Sequence, residues 1–317
     1  MQKIFIFFLL ISVLTLTSRV ETQLPVSMPE TEDTEPAVHY DGSSLVNNED
    51  PPPTVVSCEI EKDQLLLNDQ GVIIKTLRFE NDEDIGPKIW VNVENQNDNP
   101  IDLQCVYIVI NGIMIPDIFS CRVDANSTSD EFFFFTDDPF AKYGIDTIAD
   151  IQVVFELLDQ ETLEPYYTSD TVEIKTSQSG RYAQEYDSSG DVVYEDENFK
   201  VVYQGMSDYQ GYDPTLHFYV ENNSTKPIAV SSSDFSLNDG KCDYSPLMWC
   251  DMLPQTKAYA TVTLVSTEMN QLDAGELENM AFYIELIEPN TYEHYLDIGP
   301  IVINMETESA SVNDTGL

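Results

Sequence analysis

Glu94-Asn95-Gln96-Asn97-Asp98-Asn99-Pro100-Ile101 returns further along the chain as Glu221-Asn222-Asn223-Ser224-Thr225-Lys226-Pro227-Ile228, an offset of 127. At the same offset Pro87 meets Pro214, Val93 meets Val220 and Asn111 meets Asn238. Further on the offset becomes 129, and Cys121 meets Cys250, Glu156 meets Glu285, Leu157 meets Leu286 and Ile174 meets Ile303. A single two-residue insertion accounts for the change. The match runs for about a hundred residues, longer than the roughly 20–50 of a solenoid period. It therefore predicts two complete copies of one domain, over 54–176 and 190–305, with a connector at 177–189 and a polar tail at 306–317.

The apolar period inside each copy is two. Ile89, Val91 and Val93 alternate with Lys88, Trp90 and Asn92; Leu216, Phe218 and Val220 alternate with Thr215, His217 and Tyr219. Such alternation, broken by Asn, Asp, Gly and Pro clusters, marks half-buried antiparallel strands. In the first copy it predicts strands near 55–60, 71–79, 87–95, 102–110, 119–123, 131–136 and 150–158, and a short one at 169–175. A helical turn fits each copy, at Asp138–Tyr143 and Thr267–Leu272. About 110 residues with this many strands is the size of an immunoglobulin-like sandwich. The expected fold class is all-β, two tandem immunoglobulin-like antiparallel β-sandwiches.

Val220-Glu221-Asn222-Asn223-Ser224, followed by Ile228-Ala229-Val230, Asp234-Phe235-Ser236-Leu237-Asn238 and Ile284-Glu285-Leu286, resembles a secreted immunoglobulin-like domain common in Firmicutes surface proteins and lipoproteins. It is similar, more remotely, to mycobacterial secreted immunoprotective-antigen domains. The resemblance spans most of 54–305 and rests on turns and core positions. It implies a sandwich in each copy and brings no catalytic residues with it.

The chain opens Met1-Gln2-Lys3 and is apolar from Ile4 to Leu16. One positive charge and an apolar core shorter than the ~20 residues of a membrane span read as a signal peptide, residues 1–22. Residues 23–53 read as an acidic linker closed by Pro51-Pro52-Pro53, a stiff extended spacer. No later stretch is apolar for long enough to span a membrane as a helix. These features predict a secreted protein, extracellular or associated with the cell surface.

Fifty-seven acids stand against 14 bases, a formal charge of −43. Nucleic-acid binding needs basic patches, so this balance argues against it, and it argues equally against docking on anionic lipid. The acid clusters Asp82-Glu83-Asp84, Asp137-Asp138, Asp187 with Asp191, and Glu195-Asp196-Glu197 raise calcium as a bound ion, although none follows the EF-hand pattern. No cofactor is otherwise expected. His39, His217 and His294 show no pair at zinc-ligand spacing, so no metal residues are assigned from sequence.

Five cysteines in a secreted chain point to disulfides with one left over. If 102–110 and 119–123 form a hairpin centred on Ile113, Cys105 faces Cys121. A bridge there would need a Cβ separation of about 3.5–4.5 Å. In the second copy Ser232 replaces the equivalent of Cys105, and Cys242, in the excursion 239–248, is the expected partner of Cys250. Cys58 is left over. A nucleophilic cysteine wants an electropositive setting, the opposite of this chain. With no nucleophile, P-loop or dinucleotide motif, a non-enzyme is expected.

Aromatic residues carry the binding expectation. Trp90, Tyr209 and Tyr212 are the candidate ligand contacts, since exposed aromatics stack on sugars or anchor protein partners. The partner expected is an extracellular protein or a cell-wall or glycan ligand. Asn126, Asn222, Asn223 and Asn313 head glycosylation sequons. The function expected is a non-catalytic structural or protein-binding module; a carbohydrate-binding protein and a secreted hydrolase are the alternatives.

Overall fold

The structure is a computed structural model describing residues 55–116, 119–133, 135, 139–160, 162–207, 215–238, 240–241, 248–264, 278–307 and 309–312. The expected signal peptide and acidic linker lie outside the described residues. So do His39, Tyr209, Tyr212, Cys242, Asn313, Asp137-Asp138 and the helical turn at 267–272.

The first repeat contributes β1 Leu65–Asp69, β2 Val72–Asp82, β3 Gly86–Asn95, β4 Ile101–Ile110, β5 Ile113–Ile115, β6 Ser120–Val123, β7 Ser127–Phe133, a one-turn helix α1 Pro139–Lys142, β8 Asp150–Leu158, β9 Pro165–Thr168 and β10 Val172–Lys175. The second contributes β11 Asp191–Glu195, β12 Phe199–Ser207, β13 Thr215–Asn222, β14 Ile228–Leu237, β15 Gly240–Lys241, β16 Trp249–Met252, β17 Thr256–Thr263, β18 Asn279–Ile287, β19 His294–Asn304 and β20 Ser309–Val312. The expected strand at 55–60 reduces to two isolated bridges, Ser57 with Thr147 and Ile60 with Thr176. Among the described residues no helix is long and apolar enough to cross a membrane.

The strands make three sheets. One is β1-β2-β3-β7, one is a six-stranded sheet built on β14-β18-β19-β20, and one has ten strands running β10-β8-β4-β5-β17-β13-β12-β11 with β6 and β9 attached. With one parallel pair excepted, the pairings are antiparallel. Alternation decides which face is inside. Ile89, Val91 and Val93 of β3, and Leu216, Phe218 and Val220 of β13, are fully buried. Their β-branched and aromatic side chains fit a pleated surface covered by a second sheet.

Two separate hydrophobic cores result, one from Val56 to Ile174 and one from Val193 to Ile303. Both belong to one compact unit, Pro51–Leu317. They are filled differently. The first packs Phe119 on Phe133 at 4.4 Å, with Phe155 edge-on to Phe119. The second packs Phe235 on Phe282 at 4.7 Å, with Phe218 edge-on to Phe282. None of these positions matches its counterpart under the repeat offset: Val91 stands where Phe218 does and Val153 where Phe282 does. Each core therefore reaches close packing with its own set of large side chains.

What repeats most closely is a pair of buried amides. Asn95, at the end of β3, donates through Nδ2 to the carbonyls of Asn99 at 2.9 Å, Val123 at 3.1 Å and Asp124 at 3.0 Å. Its Oδ1 accepts from the Asn97 N–H at 2.9 Å. Asn222, at the end of β13, donates to the carbonyls of Lys226 at 2.9 Å and Leu253 at 3.0 Å. Its Oδ1 accepts from Ser224 N–H and Oγ–H. Leu253 is the counterpart of Asp124. Each amide thus ties a strand-to-strand turn to the chain end leaving β6 or β16, using groups that would otherwise be buried unpaired. A second amide does the same at the other end. Asn111 Oδ1 accepts from the N–H of Ala149 and Asp150, and Asn238 Oδ1 accepts from the N–H of Glu278 and Asn279. These are the residues at which the repeated sequence agrees.

Candidate functional site

The two repeats are joined at the tip of the β4–β5 hairpin. Asn111 and Gly112 both take positive φ, 51° and 79°, which is what a two-residue hairpin turn of the Asn-Gly kind requires. This turn sets Ile110 opposite Ile113 and Ile108 opposite Ile115. The Gly112 carbonyl then accepts from the Lys257 N–H at 2.8 Å, and Lys257 pairs with Ile113 in parallel. That single contact carries one sheet across both repeats.

The connector is bound down along the same seam. Tyr182 Oη donates to Asp146 at 3.2 Å, Gln184 donates to the Gly144 carbonyl, and Tyr186 Oη donates to the Asn111 carbonyl at 2.8 Å. The Lys257 ammonium sits 4.5 Å from the centre of the Tyr186 ring, within range of a cation–π contact. Gln204 donates to the Asp187 carbonyl at 2.8 Å. Tyr143, just past α1, stacks on Tyr259 of β17 at 4.7 Å and 10°.

Beside this seam lies a cleft of about 730 Å³, lined among others by Lys142, Tyr143, Tyr186, Gln204, His217 and Tyr259. His217 projects from β13, and its Nε2 lies 2.7 Å from Ser207 Oγ on β12. Burial, with the Lys142 ammonium adding to it, lowers the His217 pKa. Burial likewise raises the Tyr186 hydroxyl, helped by Asp150 and Glu221, and raises Tyr259. The cleft therefore combines an uncharged imidazole at neutral pH, tyrosine rings and the Lys142 ammonium with the acidic side chains of Glu185 and Asp187, while the Tyr186 hydroxyl and the Gln204 amide already donate within the seam. That mixed lining suits recognition of a polar ligand.

The His217 environment makes a direct prediction. Lys142→Ala should raise its pKa toward the ordinary histidine value of about 6.5, seen as a higher pH midpoint of its imidazole NMR signals. An unmoved midpoint would mean the ammonium does not reach the ring. Because the folded protein favours the neutral ring, this contribution to stability is whole above about 6.5 and is lost as pH falls through the depressed folded value.

The expected Cys105–Cys121 bridge is not formed. The turn lies at Asn111-Gly112 rather than at Ile113, and β6 pairs with β4 one residue out of the β4–β5 register, so Cys121 falls opposite Leu103. The Cys105 N–H meets the Phe119 carbonyl, and its thiol donates to the Tyr107 carbonyl at 3.1 Å. Cys58, Cys121 and Cys250 are free thiols. The expected Cys242–Cys250 bridge involves Cys242, which lies outside the described residues. Burial pushes the Cys58, Cys121 and Cys250 thiols up to about 12, nearby carboxylates adding to it, so none is a ready thiolate at neutral pH.

Trp90 does face outward on β3, but it is covered. The Arg78 guanidinium sits 4.1 Å above its ring, Phe132 packs at 4.8 Å, and its Nε1–H donates to Glu80 Oε2 at 2.7 Å. The ring face a sugar would use is taken. Of the sequons, Asn222 is excluded as an acceptor because it is the buried amide described above. Asn126 and Asn223 are exposed.

Among the described residues of the acid clusters, Asp82, Asp187 and Asp196 each hold a turn and Asp191 ties down β20. Asp82 pairs with Lys88 and accepts from the N–H of Asp84 and Ile85. Asp187 Oδ1 accepts from Ser189 N–H and Oγ–H, Asp196 Oδ1 from the N–H of Asn198 and Phe199, and Asp191 Oδ2 from the Ala310 N–H. These bonds hold the Asp82 and Asp187 carboxyls below the usual carboxylate range. The calcium expectation on Asp187, Asp191 and 195–197 gains no converging site from them.

No protein-family model matches the chain. No curated protein matches it. Among solved structures it is similar to a protein of unknown function from Porphyromonas gingivalis W83, at 13% identity, covering 77% of this chain and 100% of that one, with a TM-score of 0.20. It is also similar to red sea bream transglutaminase, at 9% identity, covering 74% of this chain and 29% of that one, with a TM-score of 0.18. Likeness at these scores carries no argument about fold detail or activity.

Proposed function

We propose that this chain is a secreted, non-catalytic binding module whose two repeats act as one rigid body and receive a partner in the cleft between them. The observation that carries this reading is the seam itself. The sheet crossing at Lys257, the Tyr143–Tyr259 stack and the bonded connector fix the walls of the cleft, so little ordering remains for binding to oppose. The occupant proposed is an extracellular protein segment that pairs with the Lys142 ammonium and packs on the tyrosine rings. A glycan is the second reading, favoured by the tyrosine rings that line the cleft. The extracellular setting rests on the N-terminal sequence and on the resemblance to secreted surface domains.

Ala141 lines the cleft and is exposed, so Ala141→Trp fills the cleft without disturbing a core. A partner cross-linked by the wild-type protein from its native extracellular milieu should be lost with this variant. Glycan-array signals lost in the same way would favour the sugar reading. Binding that is indifferent to Ala141→Trp would remove the cleft from the function.

A further inference from the structure

The β8–β9 and β18–β19 hairpins repeat bond for bond. Asp159 N–H donates to the Glu164 carbonyl and Leu163 N–H to the Asp159 carbonyl; Glu288 N–H donates to the Glu293 carbonyl and Tyr292 N–H to the Glu288 carbonyl. Leu163 and Tyr292 share a positive φ, 58° and 59°. With the turns superimposed, any difference between the flanking strands is chemical rather than geometric.

One such difference stands out. In the first repeat Glu156 is the cross-strand partner of Thr168, whose Oγ–H donates to Glu156 Oε1 at 3.0 Å. In the second repeat the same two positions hold Glu285 and Asp297, again cross-strand partners. A satisfied carboxylate–hydroxyl pair has become two facing carboxylates, an arrangement that repels. At the position of Pro165 the second repeat places His294. Its Nδ1 lies 2.9 Å from Asp297 Oδ1. One ligand atom each from Glu285, His294 and Asp297 falls within 4.8 Å of the other two. Ser233 Oγ–H donates to Glu285 Oε1 at 2.5 Å and so orients that carboxylate from the neighbouring strand β14.

We propose that Glu285, His294 and Asp297 form a divalent-cation site of the zinc class, present in the second repeat only. One imidazole nitrogen and two carboxylate oxygens from a rigid hairpin are a three-donor set for a borderline cation, with solvent completing its shell. Calcium, which takes about 6–8 oxygens, is poorly served by such a set. A bound dication converts the Glu285–Asp297 repulsion into shared ligation. The Ser233 hydroxyl acts in the supporting role that outer partners play at metal centres. This site is separate from the cleft and independent of what the cleft binds.

The test is a calorimetric titration of the full chain with zinc chloride, beside Asp297→Thr and, separately, His294→Gln. Asp297→Thr restores the residue the first repeat already folds with, so the hairpin is retained; a circular-dichroism melt confirms that for both variants. The expected result is one saturable equivalent in the wild type that weakens by roughly tenfold or more in each variant. A zinc-induced rise in melting temperature should shrink in parallel. Equal stoichiometry and affinity in wild type and variants would assign the zinc to scattered carboxylates and overturn the site. Absence of saturable binding in the wild type would overturn it outright.

Discussion

Asn222→Ala should lower the melting temperature by roughly 10 °C, and Asn95→Ala should act comparably on the first repeat. Asn222 is fully buried and makes four hydrogen bonds, two as donor and two as acceptor. Truncation to alanine deletes the bonds, leaves the Ser224 N–H without its acceptor, and leaves the Leu253 and Lys226 carbonyls with only the Thr256 and Ser224 hydroxyls. Each buried group left unsatisfied costs about 1–3 kcal/mol. Partial access of water to the turn limits the sum, and a loss of about 3–5 kcal/mol follows. Asn222→Asp sharpens the argument. It keeps the oxygen that accepts from Ser224 but replaces the donor with a carboxylate facing two carbonyls. In a chain of charge −43 that variant should be at least as damaging as alanine. Thermal unfolding of the three proteins decides it: a shift within about 2 °C for alanine, or rescue by aspartate, would show that the amide donors do not hold the turn.

That the repeated motif proved to be a pair of amide clamps explains why the fold was readable from it. A buried Asn with every polar atom engaged fixes its neighbours' positions, so the string around Asn95 and Asn222 tolerates little change, while the cores drifted to Phe119, Phe133 and Phe155 in one repeat and Phe218, Phe235 and Phe282 in the other. Strand alternation located β3, β4, β8 and β13 closely. It misplaced the start, because Leu65-Leu66-Leu67 is an unbroken apolar run with no period of two, whereas 55–60 alternates yet only bridges. The hairpin register was also written in the chain: Asn111-Gly112 is a strong turn signal, and reading it would have taken Cys121 out of register with Cys105 and removed the disulfide. Two features had no local signal. The seam joins residues far apart in sequence, Gly112 to Lys257 and Tyr143 to Tyr259, and the cleft lies beside it. The Glu285–His294–Asp297 set spans a hairpin, so a search for closely spaced histidine pairs passes over it.

Gly190→Ala is expected to be the most disruptive single-methyl change in the second repeat. Gly190 precedes β11 with φ of +128°, a conformation that L residues rarely adopt. A Cβ there would lie 2.1 Å from the Tyr203 carbonyl oxygen and 3.1 Å from the Gln204 Cα. Both obstacles are backbone of β12 and cannot rotate aside. Relief requires β11 to lift, which breaks the pairing of Asp191 with Tyr203 and Val192 with Val202 and uncovers Val193. It also pulls Asp191 from the Ala310 N–H, loosening β20. Backbone strain alone is about 1–3 kcal/mol, and the displaced ladder adds to it. Gly180→Ala is the control: its φ is also positive, at 70°, but a Cβ there meets nothing within 4 Å, so only the conformational cost of about 1 kcal/mol remains. Hydrogen exchange separates the two mechanisms. Gly190→Ala should release amides of β11 and β20 far more than those of β13 and β17, which lie further along the same sheet as β11. Uniform loss of protection would mean global unfolding rather than a displaced edge strand, and unchanged protection would show that β11 can accommodate the methyl group.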